Sequence, residues 1–298
     1  MIRNILITGA TGFLGSHLSE RLVKRGYNLI VLKRSISNLW RIKSISDKVK
    51  FYDIDLCSLE TPFKDNKIDV VIHCATKYGR LNEKSSEIVQ TNLEFPLKLL
   101  EIATFFNTDT FFNTDTILYK YLNFYSLSKK QFVDWLRVFD KNIKIFNLKL
   151  EHIYGEKDDT TKFIPWIITS FLKEEKEILL TPGEQKRDFI YVSDVVDAYI
   201  SIIEKLDSFN KGFYEYEVGT GNAVSIKEIV NLIKNITGNQ KTHIKFGAIS
   251  YRENEIMFSV ANIEKVSKDF NWKPKFSLEE GLNRTIEWYK GYLYGKTI

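Results

Sequence analysis

The chain has 298 residues, 44% of them hydrophobic and 27% charged, with 43 Lys and Arg against 38 Asp and Glu. That apolar content excludes a disordered chain, which cannot bury enough surface to offset its ordering entropy, and the length suits about two domains or one large α/β unit. Cys57 and Cys74 are too few for a disulfide-stapled scaffold. The longest apolar run, Ile164 to Leu172, is broken by Pro165 and Thr169 and falls short of the ~20 residues of a membrane span. The basic residues are dispersed in pairs such as Lys33-Arg34 and Lys129-Lys130, not gathered into a nucleic-acid stripe. Neither a membrane nor a nucleic acid is an expected partner. The first residues lack the apolar stretch of a secretory signal, so a cytoplasmic location is expected.

The first two-thirds of the chain alternates short β-branched runs with helical patterns, the rhythm of a parallel sheet with crossover helices. In order, Ile5 to Thr8 reads as a strand, Leu14 to Arg25 as a helix stopped by Gly26, Tyr27 to Lys33 and Val49 to Ile54 as strands, and Val70 to Cys74 as a fully apolar strand. A helix over Glu83 to Phe105, a strand beginning over Thr110 to Asn113, a helix over Phe124 to Phe139 and a strand over Ile143 to Leu150 follow. After Gly155, helical stretches at 163–172, 195–206, 226–236, 263–269 and 278–289 alternate with brief extended pieces. The expected fold class is α/β: a Rossmann doubly wound parallel sheet over 1–155 with 186–212 returning to it, and a smaller C-terminal lobe over 156–185 and 213–298. The hexapeptide Phe-Phe-Asn-Thr-Asp-Thr occurs at 105–110 and again at 111–116. It is too short for a solenoid unit, and the first copy is expected to end a helix while the second runs out along a strand.

Thr8-Gly9-Ala10-Thr11-Gly12-Phe13-Leu14-Gly15 joins the first strand to the first helix. Glycines there let backbone N–H groups approach a pyrophosphate at the positive end of the helix, so Gly9, Thr11, Gly12, Phe13, Leu14 and Gly15 are candidate dinucleotide contacts. The second strand ends in Lys33-Arg34-Ser35, where an NAD site carries an acid about 20 residues past the glycines. Two cations suit a 2′-phosphate and predict NADPH; the alternative is a merely solvated basic strand end. Tyr125 and Lys129 stand at i and i+4 on one helix face. The ammonium is expected to lower the phenol's pKa from ~10, fitting it to exchange a proton with a sugar oxygen. His17, His73, His152 and His243 have no metal-ligand spacing, so no metal is expected.

Further motifs are Asp53-Ile54-Asp55-Leu56, His73-Cys74-Ala75-Thr76, Asn92, Arg187-Asp188-Phe189-Ile190-Tyr191 and Trp272-Lys273-Pro274. With the glycine turn and Tyr125/Lys129, they make the chain resemble, over nearly its whole length, the extended short-chain dehydrogenases/reductases that act on nucleotide sugars. Ala75-Thr76-Lys77-Tyr78-Gly79, Asn113-Thr114-Asp115-Thr116 and Leu150-Glu151-His152-Ile153-Tyr154-Gly155 are similar to members that reduce the 4-keto group of CDP-linked deoxysugars for surface polysaccharides. The resemblance implies that Asp55, Leu56, Ala75, Thr76 and Asn92 join Lys33, Arg34, Tyr125 and Lys129 as cofactor contacts. It implies that Lys77, Tyr78, Asp115, Thr116, His152, Phe163, Arg187, Arg252 and Glu255 face the substrate, the arginines gripping its pyrophosphate with their forked guanidinium groups. The alternatives are a structural acceptor for Asp115, a packing role for His152 and a surface charge for Arg252. The third catalytic residue beside Tyr125 and Lys129 maps to Thr114; the rival copy, Thr108, precedes the strand. Members that eliminate water carry an Asp-Glu pair after that threonine, whereas here Asp115 is followed by Thr116. The resemblance therefore points to NADPH-dependent reduction at C4 of a nucleotide-diphosphate 4-keto-deoxysugar. It also implies a homodimer formed through the helices at 83–105 and 124–139. An epimerase retaining NAD⁺ is the competing reading, and a catalytically silent dinucleotide sensor is a third.

Overall fold

The computed structural model describes residues 3–295. The chain divides into two compact units, Met1–Leu150 with Tyr199–Glu217, and Glu151–Ala198 with Val218–Ile298. The elements of the first unit are β1 (Asn4–Thr8), α1 (Phe13–Lys24), β2 (Asn28–Lys33), β3 (Lys50–Asp53), α2 (Thr61–Asp65), β4 (Val70–His73), α3 (Ser85–Val89), α4 (Phe95–Phe105), β5 (Thr110–Thr116), α5 (Phe124–Val138) and β6 (Lys144–Leu150). The sheet order is β3-β2-β1-β4-β5-β6, completed by the strand Gly212–Val218, and the pairs from β3 to β6 are all parallel. This is the Rossmann order, which reverses direction between β1 and β4 and opens a crevice at the carboxyl ends of the strands. Strands covered on both faces read as unbroken apolar runs; Ile5, Leu6, Ile7, Val70, Val71 and Ile72 are accordingly sealed. One core gathers Leu6, Val71, Phe111 and Ile145 against Leu99, Leu100, Phe132 and Leu136 of α4 and α5.

Three features differ from the sequence reading. The helix expected over 83–105 is α3, a π turn over Gln90–Glu94, and α4. Pro96 has no N–H to donate into the preceding turn and its ring clashes with a regular one, so the helix widens there. Strand β5 runs on to Thr116, because Thr114, Asp115 and Thr116 continue to pair with Leu148, Lys149 and Leu150 of β6. The helix expected over Phe124 to Phe139 ends at Val138, with Phe132 and Leu136 in the core and Trp135 and Val138 exposed.

In the second unit, Lys186–Tyr191 pairs antiparallel with Ala223–Ser225 and parallel with His152–Tyr154, and His243–Phe246 pairs parallel with Glu177–Leu180. The segment that returns to the first unit is therefore Tyr199–Glu217, where the sequence reading placed it at 186–212. The helices Ile226–Thr237 and Leu278–Tyr294 start at capping boxes, Ser225 with Glu228 and Ser277 with Glu280, and stop at Gly238 and Gly295, both left-handed. Asp188, fully buried, accepts hydrogen bonds from Thr220 N (2.9 Å), Thr220 Oγ1 (2.6 Å) and Gly221 N (2.9 Å), closing the turn before Ala223–Ser225. Trp272 Nε1 donates to Asp194 O (3.2 Å), and Asp194's carboxylate accepts from Lys275 N (2.9 Å), which anchors the late turn. Among the described residues no helix is long and apolar enough to cross a membrane.

Candidate active site

The glycine spacing has a steric cause. Gly9 adopts φ +72°, and a Cβ there would stand 2.6 Å from Ala75 N; a Cβ on Gly15 would stand 2.1 Å from Gly9 O. The first turn of α1 thus lies directly on the loop, and a side chain at either position would force them apart. Gly12 is the N-cap of α1 and no side chain caps that end. An uncapped helix N-terminus behind a glycine-rich loop is the cradle a dinucleotide pyrophosphate requires, so these residues fit the cofactor. Ala75 N donates to Thr8 Oγ1 (3.2 Å), tying the end of β4 to this turn.

At the tip of β2 the two expected cations part company. Lys33 is ion-paired with Asp53, its register partner on β3, whereas Arg34 is exposed. Asp55 accepts from Ser35 N (2.8 Å) and Ser35 Oγ (2.6 Å), bonds that hold its carboxyl below the usual range. Leu56 is exposed. Arg41, which no motif singled out, donates to Thr11 O (3.2 Å) with its guanidinium 4.5 Å from the Trp40 ring. It reaches the glycine turn from the helical stretch Trp40–Lys48, so only the folded path of that stretch makes it visible.

Asn92, in the π turn, is fully buried and saturated. Its Oδ1 accepts from Lys77 N (2.8 Å) and Thr76 Oγ1 (3.2 Å), and its Nδ2 donates to Lys77 O (2.9 Å) and Ser128 Oγ (3.0 Å). With both lone pairs and both protons engaged, Asn92 straps the loop after β4 to α5. Lys77 also pairs with Glu87 (3.0 Å).

Helix α5 opens at Asn123, whose side chain accepts from Ser126 N in a capping box, and this sets Tyr125 in the first turn and Lys129 one turn later. Tyr125 is half-buried, its ring 5.0 Å from that of Tyr78, over which Arg80 lies (4.9 Å). Burial pushes the Tyr125 phenol well above its ordinary value of 10; Tyr78 and Asp115 push the same way, while a hydrogen bond from the Thr116 side chain opposes them. Desolvation, not the Lys129 ammonium, thus sets the direction of the shift, the reverse of the expected lowering. Lys129 is itself sealed, and burial brings its ammonium from 10.5 down to about 8, with Asp115 and Cys74 resisting and Lys130 assisting.

Thr114 is placed otherwise than expected. Its hydroxyl bonds Tyr199 OH (2.7 Å) and lies 3.2 Å from Cys74 Sγ, whose thiol burial pushes up to about 11. The threonine at the true end of β5 is Thr116, and it is the one that meets Tyr125. Asp115 points to the opposite face, buried, with its Oδ2 taking Lys130 Nζ (2.8 Å) and Asn147 Nδ2 (3.2 Å). His73 is buried against Phe95, Phe111 and Phe132, with Nδ1 on Thr8 Oγ1 (2.8 Å), and desolvation holds its pKa well below 6.5.

The remaining candidates lie in the second unit. Glu151, buried, accepts from Ser259 Oγ (2.6 Å) and orients His152 through Nδ1 (3.0 Å); the His152 ring sits edge-on to Phe189. Arg187, buried, is held by Glu255 (2.6 Å) and the Lys186 carbonyl (2.8 Å), so two of the expected substrate contacts are each other's partners. Arg252 is exposed, and Phe163 opens the helix Phe163–Leu172 beside Trp166.

A dinucleotide cradle on a Rossmann sheet with a tyrosine and lysine at the carboxyl edge defines a class. Residues 5–219 match the model of the NAD dependent epimerase/dehydratase family, and the chain belongs to that family. It is 36% identical to the CDP-abequose synthase of Salmonella muenchen over 294 residues, 95% of this chain and 97% of that relative. Among solved structures it resembles the UDP-glucose 4-epimerase of Thermotoga maritima with UDP-glucose (TM-score 0.85, 25% identity, 97% of this chain and 99% of that one). The UDP-glucuronic acid 4-epimerase of Bacillus cereus, in complex with UDP-glucuronic acid and NAD, is similar to the same degree (TM-score 0.85, 25% identity, 97% and 99%).

Proposed function

We propose that this protein reduces the C4 keto group of a nucleotide-linked 4-keto-deoxysugar with NADPH, a CDP-linked sugar being favoured by its likeness to CDP-abequose synthase. One observation carries the reading: a phenol that burial keeps protonated stands beside the Thr116 hydroxyl, while the neighbouring carboxylate, Asp115, is turned under α5 into an ion pair with Lys130. That arrangement has a proton donor and no paired acid and base, which is what ketone reduction needs and dehydration does not. The glycine turn would hold NADPH, which would supply the hydride when bound. Tyr125 donates the proton to the developing alkoxide, Thr116 orients the carbonyl oxygen, and Lys129 places positive charge beneath both. On this reading Thr114 supports the site through Tyr199, and His152 and Arg187 bind the nucleotide sugar. Tyr125→Phe should lower turnover by ~10²-fold or more with little change in cofactor affinity; wild-type turnover in the variant would remove the phenol from the reaction.

The reading includes a cytoplasmic homodimer, for which exposed Val89, Trp135 and Val138 on α3 and α5 supply apolar surface. Light scattering of the purified protein tests the assembly. Preference for NADPH rests on Arg34, since Lys33 is neutralised by Asp53. Arg34→Ala should shift the kcat/KM ratio toward NADH, and a wild-type preference for NADH would refute the NADPH assignment. The same Lys33–Asp53 pair favours the second reading, an epimerase retaining NAD⁺. Denaturing the protein and assaying the supernatant for NAD⁺ separates the two.

A further inference from the structure

Two amides lie where a parallel sheet ordinarily carries apolar side chains. Asn113 on β5 and Asn147 on β6 are register partners, and both are 0% exposed. Their orientation is dictated by their surroundings. Asn147 Nδ2 donates to two carboxylates, Asp115 Oδ2 (3.2 Å) and Glu215 Oε2 (2.8 Å), so its Oδ1 faces Asn113 and accepts from Asn113 Nδ2 (2.7 Å). The remaining end of Asn113, its Oδ1, is thereby presented to Lys129, whose Nζ donates to it over 3.5 Å. Flipping either amide would set like groups against each other in a sealed core. The row is a one-way chain of donors running from the lysine to two acids.

We propose that Asn113, locked by Asn147 and the carboxylates behind it, is the positioning residue that fixes Lys129 in one place beneath the end of β5 and favours its charged form. The proposal deepens the reading of Lys129 given above and rests on it. Other groups also face that ammonium: Asp115 on β5, His73 and Cys74 at and just past the end of β4, and Lys130 on α5. Among the described residues, Asn113 differs from them in that its acceptor is aimed at Lys129 and its amide is held from turning away by Asn147. An acceptor aimed at an ammonium favours the charged form, so removing it moves the titration of Lys129 downward, and a carboxylate in its place moves it upward.

The test is the pH titration of the Lys129 side chain, read by NMR from the carbon-13 shift of Cε in lysine-labelled full-length protein and assigned with Lys129→Arg. It needs no substrate. Asn113→Asp should raise the midpoint by about 1 to 3 pH units. Asn113→Leu should lower it, and Asn147→Leu, which frees Asn113 to turn, should lower it by less. Circular dichroism and melting identify any variant that fails to fold, and Asn147→Leu, which leaves Asn113 in place, then decides the matter. Unchanged midpoints in folded Asn113→Leu and Asn147→Leu overturn the proposal. Shifted midpoints in a protein that oxidises no NADPH with any 4-keto nucleotide sugar would instead refute the reductase reading and leave the positioning role standing.

Discussion

Burial drives Tyr125 and Lys129 in opposite directions from their behaviour in water: the phenol holds its proton more tightly and the ammonium more loosely. The consequence for activity is a basic limb. As pH rises through about 8, Lys129 loses its charge, and kcat/KM for reduction should fall with a midpoint near that value. The consequence for stability has the other sign. Between about 8 and 10.5 the unfolded chain keeps a proton that the folded chain has released, so this residue's contribution to stability rises with pH across that window. Lys129→Met should therefore match or exceed the wild-type urea midpoint at neutral pH while turnover drops by ~10²-fold or more. A clearly lower midpoint would mean that the buried ammonium stabilises the fold. Tyr125 and Lys129 were legible because their spacing alone puts them on one helix face. The choice between Thr114 and Thr116 was not, since it depends on how far β5 extends, and strand ends are set by a neighbour's register.

Among elements, the loop from β1 to α1 is the most tightly specified by its residues. Gly15→Ala sets a methyl 2.1 Å from a carbonyl oxygen, so either α1 or the loop must move. Overpacking of this kind costs about 1 to 3 kcal/mol, and cofactor affinity should fall further than stability does, as measured by fluorescence titration and melting of the same variant. Strand β4 carries a different liability. The folded chain keeps His73 neutral, while the unfolded chain takes up a proton as pH falls past 6.5, so stability declines with acid below that point. His73→Leu should flatten the dependence of unfolding free energy on pH in the acid range. The glycine turn and the apolar run of β4 could be read from the chain because their causes are local. The break of the helix at 90–94 could have been anticipated from Pro96, but the saturation of Asn92 could not, because its four hydrogen bonds go to two segments distant in sequence, Thr76-Lys77 and Ser128.

For the whole molecule, the alternation of strands and helices carried the architecture of the first unit, where β1, β2 and β4 are mostly apolar runs. It carried less of the second unit, whose strands are brief and mix polar with apolar residues: Lys186–Tyr191 begins Lys-Arg-Asp, three residues with local ionic or hydrogen-bonding work. Asp188 shows what that work is. Asp188→Ala removes the acceptor for three donors of Thr220 and Gly221, and hydrogen exchange should accelerate around 218–225 while β1 and β4 keep their protection. Uniform acceleration across both units would show instead that they unfold as one.

The tandem hexapeptide leaves its mark on how the chain finds its structure. One copy finishes α4 and the following turn, and the other lies between β4 and β6. Because the copies are offset by an even number of residues, the upstream copy would present the same side chains to the same faces if it entered that slot first. A refolding population should therefore divide between correct threading and a misthreaded competitor that must back out. Phe105 is solvent-exposed in the native chain, yet as the counterpart of Phe111 it would be sealed in the competitor. Phe105→Lys should accordingly speed refolding in stopped-flow experiments while leaving the unfolding rate unchanged.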